Sequence, residues 1–328
     1  MNSFIQKIHD RASDRRASVV FPESNDPRIL KAAEILLNKD ICNIHLVGSS
    51  EIIKDLCAVH DINLGNKAHI HDPATENDVL QNRMIDHLVQ RRGEKGMTHD
   101  KAASLCKQPL WYAAGLVALG EVDAGVAGAV HTTSDVLRAG IFMIGSSKKT
   151  SVISGAFLMS WDNGKVFAYA DSAVIPYPDS KTLSEIAINT ADMFTKMTGQ
   201  IAKVAFLSFA TLDSAEHEKV DLVRQAVELF HEKRPDLLGD GPLQFDAALL
   251  NEIGKRKAPN SSVAGQANVF IFPNLDAGNI AYKITERLAG AKATGPIITG
   301  FDRPFNDLSR GSSIDDIVDT ACVAILLR

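Results

Sequence analysis

Cationic residues are not in excess in this chain. Its 328 residues include 35 Lys and Arg against 40 Asp and Glu, a formal charge of −5. That excludes the basic footprint on which non-specific nucleic-acid binding depends. Long apolar runs are also missing. None approaches the ~18–20 residues that a bilayer span needs, so no membrane association is expected. Residues 1–16 are too polar and charged for a secretory signal. Cysteine is scarce, and Cys42, Cys57, Cys106 and Cys322 stand far apart with no C-x-x-C. Neither a zinc knuckle nor a disulfide framework is indicated. The apolar surroundings of all four suggest reduced core thiols, and a cytoplasmic protein is expected. No phosphate-binding G-x-x-x-x-G-K-[ST] is present, because Lys148-Lys149-Thr150 after Gly145 lacks the second glycine. No G-x-G-x-x-G follows a strand, and there is no H-E-x-x-H. His69 and His71 could share one strand face and bind metal. No third ligand is near them in the sequence, so edge or solvated histidines are the expected reading.

What is present is the composition of a folded protein, 45% hydrophobic and 23% charged, and a length that suggests two compact domains. Short β-branched runs alternate with amphipathic stretches. Strands are expected at 18–21, 44–47, 126–130, 204–209, 269–272 and 297–298. Helices are expected at 27–37, 51–59, 76–91, 132–139, 179–197, 214–233, 245–256, 277–288 and 314–327. Asp26 before Pro27 reads as an N-cap with Pro at the first helical position. The alternation predicts an α/β fold: three-layer α/β/α domains with mainly parallel sheets. Between the strand-like runs 151–158 and 165–169, Asn163-Gly164 signals a hairpin. This antiparallel insertion places a domain boundary near residue 150.

Three segments carry candidate chemistry. From Gly295 to Asp316 a strand feeds a loop rich in Gly, Pro, Asn and Asp before a helix begins. Ligands in α/β folds bind beyond strand C-termini, and helix starts attract anions. Arg310 stands there beside Ser309, and its planar guanidinium suits bidentate capture of phosphate or carboxylate. Asp316 follows within one turn. Ser313 through Asp316 is equally a capping box, and Asp307 could be a turn residue. Both readings of Asp316 stay open. In the second segment, Gly125 to Arg138, small residues permit close approach of a ligand. Thr132, Thr133 and Ser134 offer hydroxyls and amides at a helix start, with Arg138 about one and a half turns inside. Core packing explains the glycines equally well. In the third, Arg91 and Arg92 could bind an anion or simply complement a helix C-terminus.

Together these segments resemble the phosphate acetyltransferase (phosphotransacetylase) family in its short, single-module form, over essentially the whole chain. The resemblance is carried by Phe21-Pro22-Glu23 with Asp26 and Arg28, by Lys95-Gly96-Met97-Thr98, and by Gly128-Ala129 through Arg138. It continues in Phe157-Leu158-Met159, Asp171-Ser172-Ala173-Val174, Lys257-Ala258-Pro259 and Val263-Ala264-Gly265. The most specific motifs are Phe272 to Asn279 and Pro304 with Asn306 to Gly311. The resemblance implies acetyl-CoA + phosphate ⇌ acetyl phosphate + CoA, by direct attack of the CoA thiolate on acetyl phosphate. CoA and acetyl-CoA enter as substrates, with no cofactor and no metal in the chemistry. It implies two α/β domains with an active-site cleft between them, 1–150 plus 300–328 and 151–299, and a homodimer. It assigns Asp316 as general base, Ser309 as the group that steadies charge on the thioester carbonyl, and Arg310 as the phosphate binder. Arg92 (set by its distance from Lys95-Gly96, with Arg91 beside it), Arg138 and Arg287 are implied to bind CoA or phosphate. Asn306, Thr132, Thr133 and Ser134 are expected around the substrates. Ser312 departs from the pattern, since many members carry Cys there.

A thiol near ~8.5 and an ordinary carboxyl near ~3.9 are poorly matched for proton transfer. The base role therefore requires a partly desolvated Asp316, which Arg310 opposes. Alternatively the arginines lower the thiol pKa and Asp316 orients a neighbour. A phosphate butyryltransferase and a non-catalytic acyl-CoA-binding regulatory module are the competing readings.

Overall fold

Residues 3–75 and 78–328 are described by the computed structural model. The chain divides into two units. One comprises Ile5–Ser147 and Phe301–Arg328; the other comprises Lys148–Gly300 with Ser3 and Phe4.

The first unit begins with α1 (Ser3–Ser13), β1 (Ser18–Phe21), α2 (Pro27–Asn38), β2 (Asn43–Val47), α3 (Ser50–Val59) and β3 (Ala68–His71). It continues with α4 (Asp78–Arg92), α5 (His99–Cys106), α6 (Pro109–Leu119), β4 (Ala124–Ala127) and α7 (Thr133–Met143). The chain then builds the other unit. Its elements are β5 (Ser154–Ser160), β6 (Val166–Ala170), α8 (Ser180–Thr198), β7 (Lys203–Leu207), α9 (Glu218–Lys233) and β8 (Leu238–Leu243). They are followed by α10 (Phe245–Leu249), α11 (Asn251–Lys257), β9 (Val269–Ile271), α12 (Leu275–Ala289) and β10 (Lys292–Thr299). The chain returns to the first unit with β11 (Phe305–Asp307) and α13 (Ile314–Leu327).

The first sheet has the order β11-β4-β1-β2-β3, and every pairing is parallel. Strand residues point alternately to its two faces. Val20 joins the apolar cluster of α4, α5, α6 and α7, while α2 and α13 pack together on the sheet beside β1 and β4. The second sheet has the order β10-β5-β6-β9-β7-β8. Its β5–β6 hairpin and the β10–β5 pair are antiparallel; the other pairs are parallel. The α/β class with mainly parallel sheets thus agrees with the alternation in the sequence.

Several local expectations need correction. The strand expected at 126–130 is Ala124–Ala127, because Gly128 takes φ +103° and turns the chain out of the sheet. The single helix expected at 245–256 is two, broken at Leu250, whose backbone is extended (φ −98°, ψ 117°). The helix expected from 214 starts at Glu218, and the two-residue strand at 297–298 is part of eight-residue β10. The expected helix start at Glu76 lies outside the described residues. α6 escapes periodicity because it is buried nearly all round and reads apolar on every face. β8 contains Gly239, Gly241 and Pro242, which a sheet tolerates at an edge, and β8 is an edge strand. The four cysteines are unpaired. Cys42, Cys106 and Cys322 are buried, and burial pushes the Cys42 and Cys106 thiols up to about 12.

Candidate active site at the strand ends of the first unit

β1, β4 and β11 are neighbours running in parallel, so the loops after their C-terminal ends leave one edge of the sheet together. Ligand sites of α/β folds lie at such edges. Ala127 stands opposite Asp307, and the Leu308 amide donates to the Ala127 carbonyl (2.7 Å) just before the two loops begin. Arg28, in the first turn of α2, ties them together. Its Nη1 donates to the carbonyls of Arg310 (2.9 Å) and Ser312 (2.9 Å), and its Nη2 donates to that of Ala129 (3.1 Å). Asp26 caps α2 through the Arg28 amide (2.8 Å) and steers the guanidinium with a contact of 2.6 Å to Nη2.

Two buried carboxyls underlie this edge. Glu23 is 1% exposed. It accepts the amides of Ala129 (2.7 Å), Val130 (2.9 Å) and His131 (2.7 Å), and the His131 imidazole at Nδ1 (2.8 Å). Burial alone would raise its pKa, but these four bonds outweigh it and hold the carboxyl below its ordinary value. Asp307 is fully buried at the end of β11. Its Oδ2 accepts the Thr133 hydroxyl (2.6 Å), whereas its Oδ1 has no hydrogen-bond partner among the described residues. Burial pushes its pKa up to about 7. The Thr133 hydroxyl pulls the other way, the negative charge of Glu23 adds to the rise, and the Leu308 amide lowers it slightly. Gly128 is required here, since a Cβ would collide with the Asp307 carboxyl and the Leu308 main chain.

The expected site residues divide into groups. Ser309 and Arg310 lie exposed in the loop after β11. The Ser309 hydroxyl accepts the Gly311 amide (3.3 Å). Among the described residues the Arg310 guanidinium has no partner. Asp316 forms the capping box of α13: its Oδ2 accepts the Ser313 amide (2.9 Å) and hydroxyl (2.8 Å), and Ser313 caps the Asp316 amide (3.2 Å). The same loops bring Thr132, Thr133 and Ser134 to the start of α7. The Thr132 hydroxyl is taken by Asp135 (2.7 Å) and the Thr133 hydroxyl by Asp307, which leaves Ser134 as the exposed hydroxyl. Arg138 is exposed further along α7, and Asn306 is fully buried within β11.

Arg92 is at the other end of α7. Its Nη2 donates to the Ile141 carbonyl (3.0 Å), and its guanidinium lies over the Phe142 ring (4.3 Å from the centroid). Arg91 donates to the Phe142 carbonyl (3.1 Å). Both therefore complement the C-terminus of α7 rather than that of their own α4, about 12 Å along the helix from Thr133. Arg287 belongs to the other unit, in the last turn of α12, and pairs with Glu286 (3.4 Å). His69 and His71 do have a third neighbour. His45 stacks on both rings, and its Nδ1 is 2.9 Å from Nε2 of His71. Among the described residues no group of three or more His, Cys, Asp and Glu is arranged to hold a metal ion.

Sequence reading passed over Glu23, Arg28, His131 and Asp307 as functional groups. The available signal was their position, each within a few residues of a strand end. Their pairing spans more than a hundred residues and is invisible in local pattern.

A family model described as phosphate acetyl/butaryl transferase matches residues 3–325. The chain is 41% identical to the phosphate acetyltransferase of Acetivibrio thermocellus over 98% of its own length and 97% of the relative's. The solved structure of a phosphotransacetylase from Streptococcus pyogenes superposes with a TM-score of 0.93 at 35% identity. That match covers 100% of this chain and 98% of the other. EutD phosphotransacetylase from Staphylococcus aureus gives 0.91 at 34% identity, covering 99% and 98%. The chain belongs to the phosphate acetyl/butaryl transferase family.

Proposed function

We propose that this chain is a phosphate acetyltransferase, catalysing acetyl-CoA + phosphate ⇌ acetyl phosphate + CoA. The observation that carries the reading is full-length identity of 41% with a phosphate acetyltransferase. The geometry supports it. A guanidinium without a partner among the described residues, Arg310, stands beside the Ser309 hydroxyl at the strand edge, where an anion and an acyl carbonyl need a cation and a donor. In this reading Arg310 binds the phosphoryl group and Ser309 polarises the acetyl carbonyl. Asp316 acts close to the thiol from the first turn of α13. Arg138 contacts a phosphate of CoA. Arg92, a helix length away, suits the nucleotide end of that extended molecule. Exposed Arg287 is a further cation for substrate. Holding both substrates converts the attack of thiolate on acetyl carbon into an effectively intramolecular step. The chemistry involves no metal.

We further propose a homodimer. On α12 the large apolar residues Ile280, Ile284 and Leu288 are exposed at successive turns, the arrangement of a helix face that another subunit covers. Unpaired, buried thiols suit a reducing cytoplasm.

The test is thioester formation from acetyl phosphate and CoA by the purified chain, repeated with butyryl phosphate. Turnover with acetyl phosphate preferred is expected. Preference for butyryl phosphate would move the chain to the other branch of its family, and absence of turnover with either would sink the reading.

A further inference from the structure

We propose that His131 is a further catalytic residue, carrying the proton between the CoA thiol and phosphate, and that the buried carboxylate of Glu23 positions it. The proposal rests on the reading of the chain as a phosphate acetyltransferase.

Because an ionised carboxylate only accepts, the 2.8 Å contact with Glu23 places a proton on Nδ1 of His131. The exchangeable position is then Nε2. The side chain is 37% exposed, and among the described residues Nε2 makes no hydrogen bond. A ring held at one nitrogen by a buried carboxylate, with the other facing solvent, is the arrangement of a general base with its orienting group. Its place fits the task. His131 immediately precedes Thr132, the N-cap of α7. Its loop and the one holding Ser309 and Arg310 leave adjacent parallel strands and are bound by the same Arg28 guanidinium. The Asp316 carboxylate, by contrast, is engaged as the cap of α13.

Charges around the ring favour the task. The Glu23 bond raises the imidazole pKa above its ordinary value, burial opposes it, and Asp135 adds to the rise. Arg28 on α2 holds the Ala129 carbonyl, Asp307 on β11 lies near Glu23, and Arg138 is on α7 itself. An imidazole so shifted stands closer to a thiol near ~8.5 than a carboxyl near ~4 does.

The step balances. The thiol proton passes to Nε2 as the sulfur electron pair forms the S–C bond to the acetyl carbon. The C–O bond to phosphorus-bound oxygen breaks, and its pair leaves on phosphate. Nε2 then gives its proton to that phosphate, and neutral imidazole is restored.

The test compares the intact chain with His131→Gln and Asp316→Asn, using acetyl phosphate and CoA between about pH 6 and pH 9. For His131→Gln we expect kcat to fall about 100-fold or more, with both KM values within about threefold. The acidic limb of the kcat profile should disappear, and added imidazole should restore part of the rate. Asp316→Asn should keep that limb. A kcat within about threefold of the parent, or a limb lost in Asp316→Asn and kept in His131→Gln, would overturn the proposal. The unsubstituted protein supplies an independent readout if the variant does not fold. The Nε2 nitrogen resonance of His131 should titrate and move when CoA is added, and an unmoved resonance would equally overturn it. If the unsubstituted chain turns over neither acyl phosphate, the functional reading itself has failed, and this inference with it.

Discussion

Two buried carboxyl clusters in this molecule are built on opposite plans. In the second unit, Glu185 on α8 accepts the Thr150 hydroxyl (2.9 Å), the Ser151 amide (3.0 Å) and Lys233 Nζ (2.8 Å). Burial opposes ionisation there, but these bonds and the Lys233 charge hold its pKa down at about 2. In the first unit, Asp307 has the Thr133 hydroxyl, the nearby Leu308 amide and Glu23 as a charged neighbour, with no cation paired to it among the described residues, and its pKa sits at about 7. The first arrangement is complete within the protein and fastens a helix to a loop. The second leaves a carboxyl under-satisfied beneath the edge that carries Ser309, Arg310 and His131. Groups with displaced pKa values tend to gather at functional sites, and this contrast is of that kind.

Opposite plans imply opposite responses to pH. A buried acid whose pKa is raised contributes stability that is fully present below its unfolded value and is lost as pH rises through the folded value. For Asp307 that window runs from about pH 4 to about pH 7. Asp307→Asn removes the titration. Denaturant unfolding should therefore show the stability of the variant gaining on that of the parent by up to about 4 kcal/mol between those limits. Parallel pH dependences would erase the contrast.

Arg310→Ala tests the open edge itself. We expect kcat/KM for acetyl phosphate to fall about 100-fold, with KM for CoA within about threefold. A variant that loses only CoA affinity would contradict the assignment. Glu185 is the reverse case of Asp307, since its lowered pKa stabilises above the unfolded value and is lost as pH falls through about 2. Lys233 is 39% exposed and screened by solvent, so Glu185→Gln should cost about 2 kcal/mol at neutral pH and leave kcat unchanged. A change in kcat without a change in stability would show that this cluster is not merely structural. Ser313→Ala should cost least, about 1 kcal/mol of unfolding free energy, by removing the cap of α13.

Much of the fold was legible. Asp26 before Pro27 announced α2, Asn163-Gly164 announced the β5–β6 hairpin, and Ser313 announced α13, because caps and tight turns are decided by a few adjacent residues. β11 read as a loop because Asn306 and Asp307 are poor strand formers. It is a strand because β4 offers its exposed amides and carbonyls to pair. The loop motif around Ser309 and Arg310 was equally legible. The Glu23–His131 pair, which lies 108 residues apart, was not.

From order of residues alone came the α/β alternation, the cap and turn positions, and the family motifs with their Ser309, Arg310 and Asp316. All of these rest on spacing or on local backbone chemistry. Only the folded chain decided that Arg28 clasps two loops, that burial raises the Asp307 pKa to about 7, and that Glu23 fixes the tautomer of His131. The reason is physical. A side chain's charge and orientation depend on how completely water is stripped from it and on which dipoles replace that water. Those neighbours come from strands and loops brought together by packing.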